Sequence, residues 1–181
     1  MSTGILLAAG EGRRFGGPKQ LARVGGRPLI EHALAALGDL DRRIVVLGAR
    51  AAEVQAGADL SGAEVVVCAD WPEGMGASLR SGLEAAGDAD EVVVMLADQP
   101  FLTAAVVARV RAAQGPAARA TFAGAPGHPV VLRRALLARA GELHGDRGFR
   151  GRLDEATEVE CGDLADPRDI DTRADLEVVR L

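Results

Sequence analysis

Short apolar runs alternate with helix-like segments along the first two thirds of the chain. The runs cover residues 5–8, 44–47, 65–68 and 92–96. Between them, apolar residues recur at helical spacing over residues 29–37 after Pro28, over 79–86, and over 106–110 behind Thr103. Such alternation is typical of a parallel sheet with crossover helices. The pattern therefore predicts an α/β fold with three layers and a mostly parallel sheet.

The rhythm changes after Gly115 and Pro116. Two extended segments, residues 120–122 and 130–132, flank a predicted loop over residues 124–129. Beyond them the pattern predicts a helix over 134–140, a tight turn over 145–148, a strand over 157–160 and a closing helix over 175–181. There is no internal repeat or long linker, so we expect one domain covering residues 1–181.

Composition limits the class of protein. The chain has 181 residues, of which 48% are hydrophobic and 26% charged, and this balance is typical of a globular domain with its own core. No apolar run approaches a membrane span, and the first residues do not resemble a signal peptide, so we expect a cytoplasmic protein. Cys68 and Cys161 lie far apart and are expected to be reduced thiols packed beside strands. The three histidines are scattered, which argues against a zinc site: His32, His128 and His144.

The charge is acidic overall and basic in two places. A formal net charge of -5 argues against a nucleic-acid surface, which needs a basic patch to displace counterions. One basic cluster contains Arg13, Arg14 and Lys19, and the other lies over residues 147–152. Two small basic clusters on an acidic protein favour small anionic ligands.

A glycine-rich loop directly follows the first apolar run and carries the first basic cluster. If residues 5–8 form a buried strand, this loop lies at the carboxyl end of the sheet, where open α/β folds bind ligands. Glycines can adopt positive φ and bring backbone N–H groups close to phosphate oxygens. The loop has four of them: Gly10, Gly12, Gly16 and Gly17. The loop thus predicts a polyphosphate site, the alternative being a glycine-rich turn with solvated arginines.

Two better-known glycine loops do not fit this segment. A Walker A loop requires Gly-Lys-Ser/Thr, whereas Lys19 follows Pro18 and precedes Gln20. A dinucleotide fingerprint requires its third glycine where Phe15 stands, and the second predicted strand is not followed by an acid for the ribose.

Aspartates at two places are candidate metal ligands. Asp98 follows an apolar run, which places a carboxylate at the tip of a predicted strand. A carboxylate beside a phosphate site is the usual setting for Mg²⁺, although an Asp here could also simply start a turn. Asp169 and Asp171 form a second acidic pair. Asp171 could instead act only at the start of the last helix, because Thr172 and Asp175 are spaced like a capping box.

These residues resemble a known family. The chain is similar to the MobA-like nucleotidyltransferases, and within them to the molybdenum cofactor cytidylyltransferase branch. The resemblance covers nearly the whole chain in order and lies in the segments Leu7-Ala8-Ala9-Gly10-Glu11-Gly12-Arg13-Arg14-Phe15-Gly16, Pro18-Lys19-Gln20-Leu21, Gly26-Arg27-Pro28-Leu29, Gly74-Met75-Gly76-Ala77-Ser78-Leu79, Ala97-Asp98-Gln99-Pro100, Gly127-His128-Pro129-Val130, Gly145-Asp146-Arg147-Gly148 and Asp169-Ile170-Asp171-Thr172. It implies a GT-A-like fold, that of the nucleotide-diphospho-sugar transferases.

The resemblance also implies residue roles. Contacts to the base and ribose are expected from Leu7, Ala8, Ala9 and Gly10, and contacts to the triphosphate from Gly12, Arg14 and Lys19. Asp98 is expected to hold Mg²⁺ with Asp171, and Ser78 to lie near the nucleotide. Arg14, Lys19 and Asp98 are the expected catalytic residues. Acceptor contacts are expected from His128, Asp146 and Arg147.

The implied reaction transfers CMP from CTP to a small phosphorylated acceptor of the molybdopterin type, with Mg²⁺ as cofactor and pyrophosphate as product. The cytidylyl branch has alanine at position 9, where the guanylyl branch has glycine, and this favours CTP. Alternatives are GTP, another acceptor such as a sugar phosphate, methylerythritol phosphate or phosphocholine, and a non-catalytic module that delivers cofactor to a molybdoenzyme. A molybdoenzyme or its chaperone is the expected protein partner, with no nucleic acid and no membrane.

The chain departs from the branch at two positions. The branch commonly has Ser where Gly12 stands, so backbone N–H groups must serve in place of a hydroxyl. It commonly has proline where Arg173 stands, next to the late acids. Because of the second departure, the resemblance supports a metal-binding role for Asp171 less strongly than for Asp98.

Overall fold

A computed structural model describes residues 1–138, 153 and 156–179. Seven of the strands in these residues form one sheet, in the order β5-β4-β1-β6-β8-β7-β9. In chain order, the strands are β1 (Ser2–Ala8), β2 (Arg23–Val24), β3 (Arg27–Pro28), β4 (Arg42–Leu47), β5 (Glu64–Val67), β6 (Glu91–Leu96), β7 (Ala117–Phe122), β8 (Ala125–Arg133) and β9 (Thr157–Glu160). Strands β2 and β3 form a separate hairpin. The four strands from β5 to β6 are parallel, which confirms the mostly parallel sheet.

Helices cover both faces of the sheet. They are α1 (Leu29–Ala36), α2 (Ala51–Gly57), α3 (Met75–Ala86), α4 (Ala104–Ala112), α5 (Arg134–Leu137) and α6 (Arg173–Val178), with 3-10 turns at Lys19–Leu21 and Trp71–Glu73. Side chains alternate along β1, so that Leu6 faces the layer of α1, α2 and α4 while Ile5 faces α3. A Cβ on Gly82 of α3 would lie 2.7 Å from Ile5 Cγ2, so glycine lets this helix approach the sheet closely.

The region after β6 differs from the sequence prediction. The predicted loop over residues 124–129 belongs mostly to β8, which begins at Ala125 and lies antiparallel between β6 and β7. Ala123 and Gly124, both with positive φ, form the two-residue turn between β7 and β8. Prolines usually interrupt a central strand. Here Pro126 pairs with Thr121 of β7, whereas Pro129 lies at the register irregularity between Arg119 and Thr121.

Other predicted elements are refined. Helix α2 was not predicted, because Val54 is its only buried residue and the apolar pattern is weak. Helix α5 covers the first part of the predicted 134–140 helix, and helix α6 begins two residues before the predicted start of the closing helix. The turn predicted over 145–148 and the basic cluster over 147–152 lie outside the described residues.

Both cysteines are buried as expected, each directly after a strand: Cys68 after β5 and Cys161 after β9. Among the described residues, none of the helices has the length and apolar character that a membrane crossing requires.

Candidate active site

The glycine loop and Asp98 lie at the same edge of the sheet. Strands β1 and β6 are parallel neighbours, with Leu7 opposite Leu96. Just beyond this pair, the Ala97 N–H donates to the Leu7 carbonyl at 3.1 Å. Because parallel strands end on the same side, the segments that follow β1 and β6 face one crevice. The glycine loop and Asp98 therefore face the same crevice, as predicted.

The glycine loop closes on itself around Gly12. The Gly12 carbonyl accepts from the N–H groups of Phe15, Gly16 and Gly17 at 3.0, 3.0 and 3.3 Å. Gly12 has φ 70°, and a Cβ built on it would lie 2.0 Å from the Gly17 carbonyl oxygen. A serine side chain at position 12 does not fit this loop conformation, which gives the departure from the branch a structural basis.

The sequence prediction for the other loop glycines needs correction. Gly12 and Gly16 have positive φ, whereas Gly10 and Gly17 do not. The N–H groups of Gly16 and Gly17 donate within the loop, so they stabilise its shape and do not point freely at a ligand.

Gln20 fixes the start of the loop. Its Nε2 donates to the carbonyl oxygens of Ala8 at 2.7 Å and Gly10 at 2.8 Å, and the residue is only 3% exposed. These two bonds hold the chain in place where it leaves β1. Sequence reasoning did not assign a role to Gln20; the available signal was a polar residue that follows Lys19 within the matched segment.

Lys19 joins the two predicted metal acids. Its Nζ donates to Asp98 Oδ2 at 2.6 Å and to Asp171 Oδ1 at 2.8 Å. The other oxygen of Asp171, Oδ2, lies 2.9 Å from the guanidinium of Arg14, whose side chain is 75% exposed. Lys19 is the only lysine in the sequence. The predicted charged residues thus form one cluster, here called the acid–lysine cluster: Arg14, Lys19, Asp98 and Asp171.

The carboxylate of Asp171 is not used to cap helix α6. Thr172 is the N-cap and forms a reciprocal capping box with Asp175. The Asp175 carboxylate also accepts from the Asp171 N–H at 3.0 Å. With the helix start satisfied in this way, the Asp171 side chain is left for Lys19 and Arg14. The alternative in which Asp171 serves only the helix is therefore wrong.

A small apolar cluster brings the late acids to the loop. Ile170 and Leu176 pack with Leu29, and Phe15 of the glycine loop lies against this cluster. The Ile170 N–H also donates to the Asp98 carbonyl at 2.9 Å. Arg173, which stands where the branch has proline, places its guanidinium 5.5 Å from the centre of the Phe15 ring. That contact adds a further link between the last helix and the loop.

The two carboxylates of the acid–lysine cluster determine the charge state of Lys19. Burial by itself lowers the pKa of Lys19, but the negative charges of Asp98 and Asp171 outweigh it and raise that pKa above its ordinary value. Lys19 therefore remains charged over the physiological range.

The two acids are a chemically suitable pair for a divalent cation. Asp98 Oδ1 is buried and, among the described residues, has no hydrogen-bond partner. The described part of the chain contains no group of three or more His, Cys, Asp or Glu residues placed to hold a metal. Mg²⁺ commonly uses one or two carboxylates together with substrate phosphates, and the donors present meet that requirement. Asp171, rather than Asp169, shares Lys19 with Asp98.

A cavity of about 480 Å³ opens beside the glycine loop and is here called the loop cavity. Eight predicted nucleotide-binding residues line it: Leu7, Ala8, Ala9, Gly10, Gly12, Lys19, Ser78 and Asp98. Arg14, the ninth, pairs with Asp171 and is not part of this lining. Met75, in one of the segments that carry the family resemblance, also lines the cavity, as does Trp71, which was not predicted because no local pattern marks it as a site residue.

A second cavity, of about 660 Å³, adjoins the first and is called the β8 cavity. The two share Leu7, Met75 and Leu96. His128 of β8 lines the second cavity, as does Gln99, whose Oε1 is buried and has no hydrogen-bond partner within the described part of the chain. Of the predicted acceptor residues, His128 is thus placed beside the loop cavity, while Asp146 and Arg147 lie outside the described residues.

The imidazole of His128 is held in its neutral form. Burial lowers its pKa from 6.5 to about 4, and the negative charge of Asp98 only partly opposes this. A neutral imidazole can donate one hydrogen bond and accept another in the β8 cavity.

This shift predicts a pH-dependent stability. The unfolded chain binds a proton at His128 below pH 6.5 and the folded chain only near pH 4, so the free energy of unfolding falls as the pH drops between these values. One fully shifted group contributes at most about 3 kcal/mol over that window. Denaturant titrations at pH 7.5 and 4.5 should show a smaller pH-dependent loss for His128→Asn than for the wild type. Equal losses would contradict the assignment.

Comparison with known proteins decides the family. The model of the MobA-like NTP transferase domain matches residues 4–159. The chain belongs to this family. The resemblance inferred from the sequence is thereby confirmed. Asp171 lies beyond the matched residues, although its side chain completes the acid–lysine cluster.

Three relatives are similar to this chain along nearly its whole length. Nicotine blue oxidoreductase of Paenarthrobacter nicotinovorans is 36% identical and covers 94% of this chain and 92% of its own. A crystal structure of an Rv0371c homologue from Mycobacterium sp. strain JC1 is 34% identical, with a TM-score of 0.82 over 99% of this chain and 94% of that one. The Rv0371c protein of Mycobacterium tuberculosis, in complex with manganese, is 30% identical, with a TM-score of 0.79 over 98% and 97%.

Proposed function

We propose that the protein is a metal-dependent cytidylyltransferase that transfers CMP from CTP to a phosphorylated acceptor of the molybdopterin type. The observation that carries the proposal is the acid–lysine cluster at the loop cavity, where one ammonium and two carboxylates meet. The family supports nucleotidyl transfer in general. The donor, the acceptor and Mg²⁺ are the proposed specifics.

The loop cavity would receive the CTP. Its apolar part, with Leu7, Ala9 and Trp71, offers surface for the base, while Lys19 offers charge for the phosphates. An acceptor phosphate oxygen attacks the α-phosphorus, the bond from that phosphorus to the β-phosphate bridging oxygen breaks, and pyrophosphate leaves. Lys19 and Arg14 would neutralise charge on the transferring and leaving groups. A divalent cation bound by Asp98 and Asp171 would supply further neutralisation.

The β8 cavity would hold the acceptor. It adjoins the loop cavity through three shared residues, so a ligand in it would face a nucleotide in the first. The neutral His128 and the Oε1 of Gln99, which accepts no hydrogen bond from the residues described, would orient the acceptor by hydrogen bonds. A phosphate monoester is already ionised near neutral pH, so this reaction requires no general base.

The test is pyrophosphate release. The purified protein is incubated with CTP or GTP, Mg²⁺ and one candidate acceptor at a time, and pyrophosphate is measured together with the nucleotide-linked product. Acceptor-dependent release from CTP is the expected result. An oxidoreductase activity, as named for the Paenarthrobacter relative, would give no pyrophosphate, and this chain lacks the acid and third glycine of a dinucleotide fingerprint.

We expect CTP to bind more tightly than GTP. Ala9 is buried in the lining of the loop cavity. In the proposed complex its Cβ would take space beside the base that a larger purine would need. Calorimetric titration of each triphosphate with Mg²⁺ present should therefore give the lower Kd for CTP. Ala9→Gly should narrow the difference, and tighter GTP binding by the wild type would refute the CTP assignment.

Asp171→Asn should lower turnover by about a hundredfold, because the change removes a charge that would stabilise the cation and the cationic side chains around the transferring phosphate. Helix α6 should be unaffected, since Thr172 and Asp175 form its capping box. Asp166→Asn is the matched control, because Asp166 is exposed on the same segment and pairs with Arg168. A fully active Asp171→Asn variant would mean that Asp171 has only a structural role.

A further inference from the structure

Lys19 occupies the space between the two acids that would hold a divalent cation. Its Nζ lies 2.6 Å from Asp98 Oδ2 and 2.8 Å from Asp171 Oδ1. Oxygen ligands lie about 2.1 Å from Mg²⁺. An ammonium group and a cation that each contact both oxygens would therefore nearly coincide, and their charges would repel. Lys19 and a cation therefore cannot both bind the oxygen pair Asp98 Oδ2 and Asp171 Oδ1.

The Lys19 side chain can also reach the loop cavity. It lines the loop cavity together with Asp98, so its flexible side chain can turn from the acids toward a ligand in that cavity. A triphosphate there offers several anionic oxygens to the ammonium group. Once Lys19 binds phosphate, both carboxylate oxygens become free for a cation, which the same phosphates also help to bind.

We propose that Lys19 is an internal competitor for the divalent cation, so that the cation binds well only after a polyphosphate has drawn Lys19 away from Asp98 and Asp171. This inference rests on the proposed function of the site and adds an order of binding to it. It requires positive coupling between nucleotide and cation, since each ligand favours the arrangement that the other needs.

The first test measures Mn²⁺ binding without nucleotide, using the electron paramagnetic resonance signal of free Mn²⁺. Lys19→Met removes the competing charge, and we expect it to bind Mn²⁺ at least about tenfold more tightly than the wild type, because contacts between full charges near a protein surface are strong. Lys19→Arg keeps the charge and should remain weak. Arg23→Met is the matched control: it removes one positive charge from an exposed residue that bonds only to the nearby Gly26 carbonyl in the described structure.

The second part of this test adds CTP. Wild-type affinity for Mn²⁺ should rise strongly with CTP, whereas that of Lys19→Met should rise much less. Equal Mn²⁺ affinities of wild type and Lys19→Met without nucleotide would overturn the proposal, as would no Mn²⁺ binding by Lys19→Met. Failure of the proposed function is a separate outcome, because it appears as absent pyrophosphate release and does not affect Mn²⁺ binding without nucleotide.

A measurement on the wild type covers the case in which Lys19→Met does not fold. Because Lys19 is the only lysine, a protein labelled with ¹⁵N-lysine gives one lysine side-chain resonance by nuclear magnetic resonance. CTP without metal should shift this resonance, as the ammonium leaves the carboxylates for phosphate, whereas millimolar Mg²⁺ alone should leave it in place. A resonance that Mg²⁺ alone displaces, or that CTP alone does not move, contradicts the proposal.

Discussion

Asp98→Asn should reduce turnover on the order of a thousandfold while leaving the fold intact. The carboxylate lies just beyond the tip of β6 and accepts from Lys19 through Oδ2, while its Oδ1 is buried and has no partner among the residues that the structure describes. The asparagine amide has nearly the same shape as the carboxylate but lacks the negative charge that would hold the cation. An acid that stabilises transition-state charge through a metal contributes several kcal/mol, which gives the expected size. Steady-state turnover across a range of Mg²⁺ concentrations is the measurement.

Asp90→Asn is the control for this variant. Asp90 precedes β6 at the opposite end of the strand, where it pairs with Arg134 and the N-terminal amine. The Asp90→Asn substitution also removes one negative charge, but far from the crevice, so turnover should stay near the wild-type value. Thermal melts of both variants check the fold. A folded Asp98→Asn enzyme with full turnover would exclude the proposed metal site.

Lys19→Met should lower turnover by about a hundredfold, because a fixed cation aimed at developing phosphate charge is lost. The same variant is expected to bind Mn²⁺ more tightly. Lower turnover together with higher affinity for Mn²⁺ is a combination that misfolding does not produce. Initial rates at varied CTP should show both a higher KM and a lower kcat, since Lys19 would contact the phosphates before and during transfer.

Arg23→Met again serves as the control for lost positive charge and should have nearly wild-type kinetics. If Lys19→Met were fully active, the ion pairs of Lys19 with Asp98 and Asp171 would have no part in the reaction. The nucleotide site would then depend on Arg14 and the backbone of the glycine loop alone.

Much of the fold and part of the site followed from the sequence. The parallel strands and the helices α1, α3 and α4 were predicted because burial on one face leaves a local period in the sequence. Lys19 and Asp98 were predicted because each lies next to a feature readable over a few residues, a glycine loop and a strand end. Family membership was likewise evident from local segments.

Other parts depended on residues distant in the chain. Gln20 was missed because its two acceptors are backbone carbonyls whose positions only the folded loop defines. Trp71 was missed because a 3-10 turn and the crossover to α3 bring it to the loop cavity. The first half of β8 was predicted as a loop and only residues 130–132 as extended, because glycine and proline suggest a break until pairing with β6 and β7 supplies the hydrogen bonds.

Asp171 best shows the difference between what local sequence determines and what only tertiary contacts determine. Its sequence neighbours offered two roles, a metal ligand and a helix start, and local spacing could not separate them. The structure assigns capping to Thr172 and Asp175 and places the Asp171 carboxylate on Lys19, 152 positions earlier in the chain. The sequence alone determined the elements, the loop and the chemistry of its residues, because these depend on local periodicity and residue type. Only the tertiary structure decided which charges meet, because burial of Ile170 and Leu176 against Leu29, far away in sequence, sets that distance.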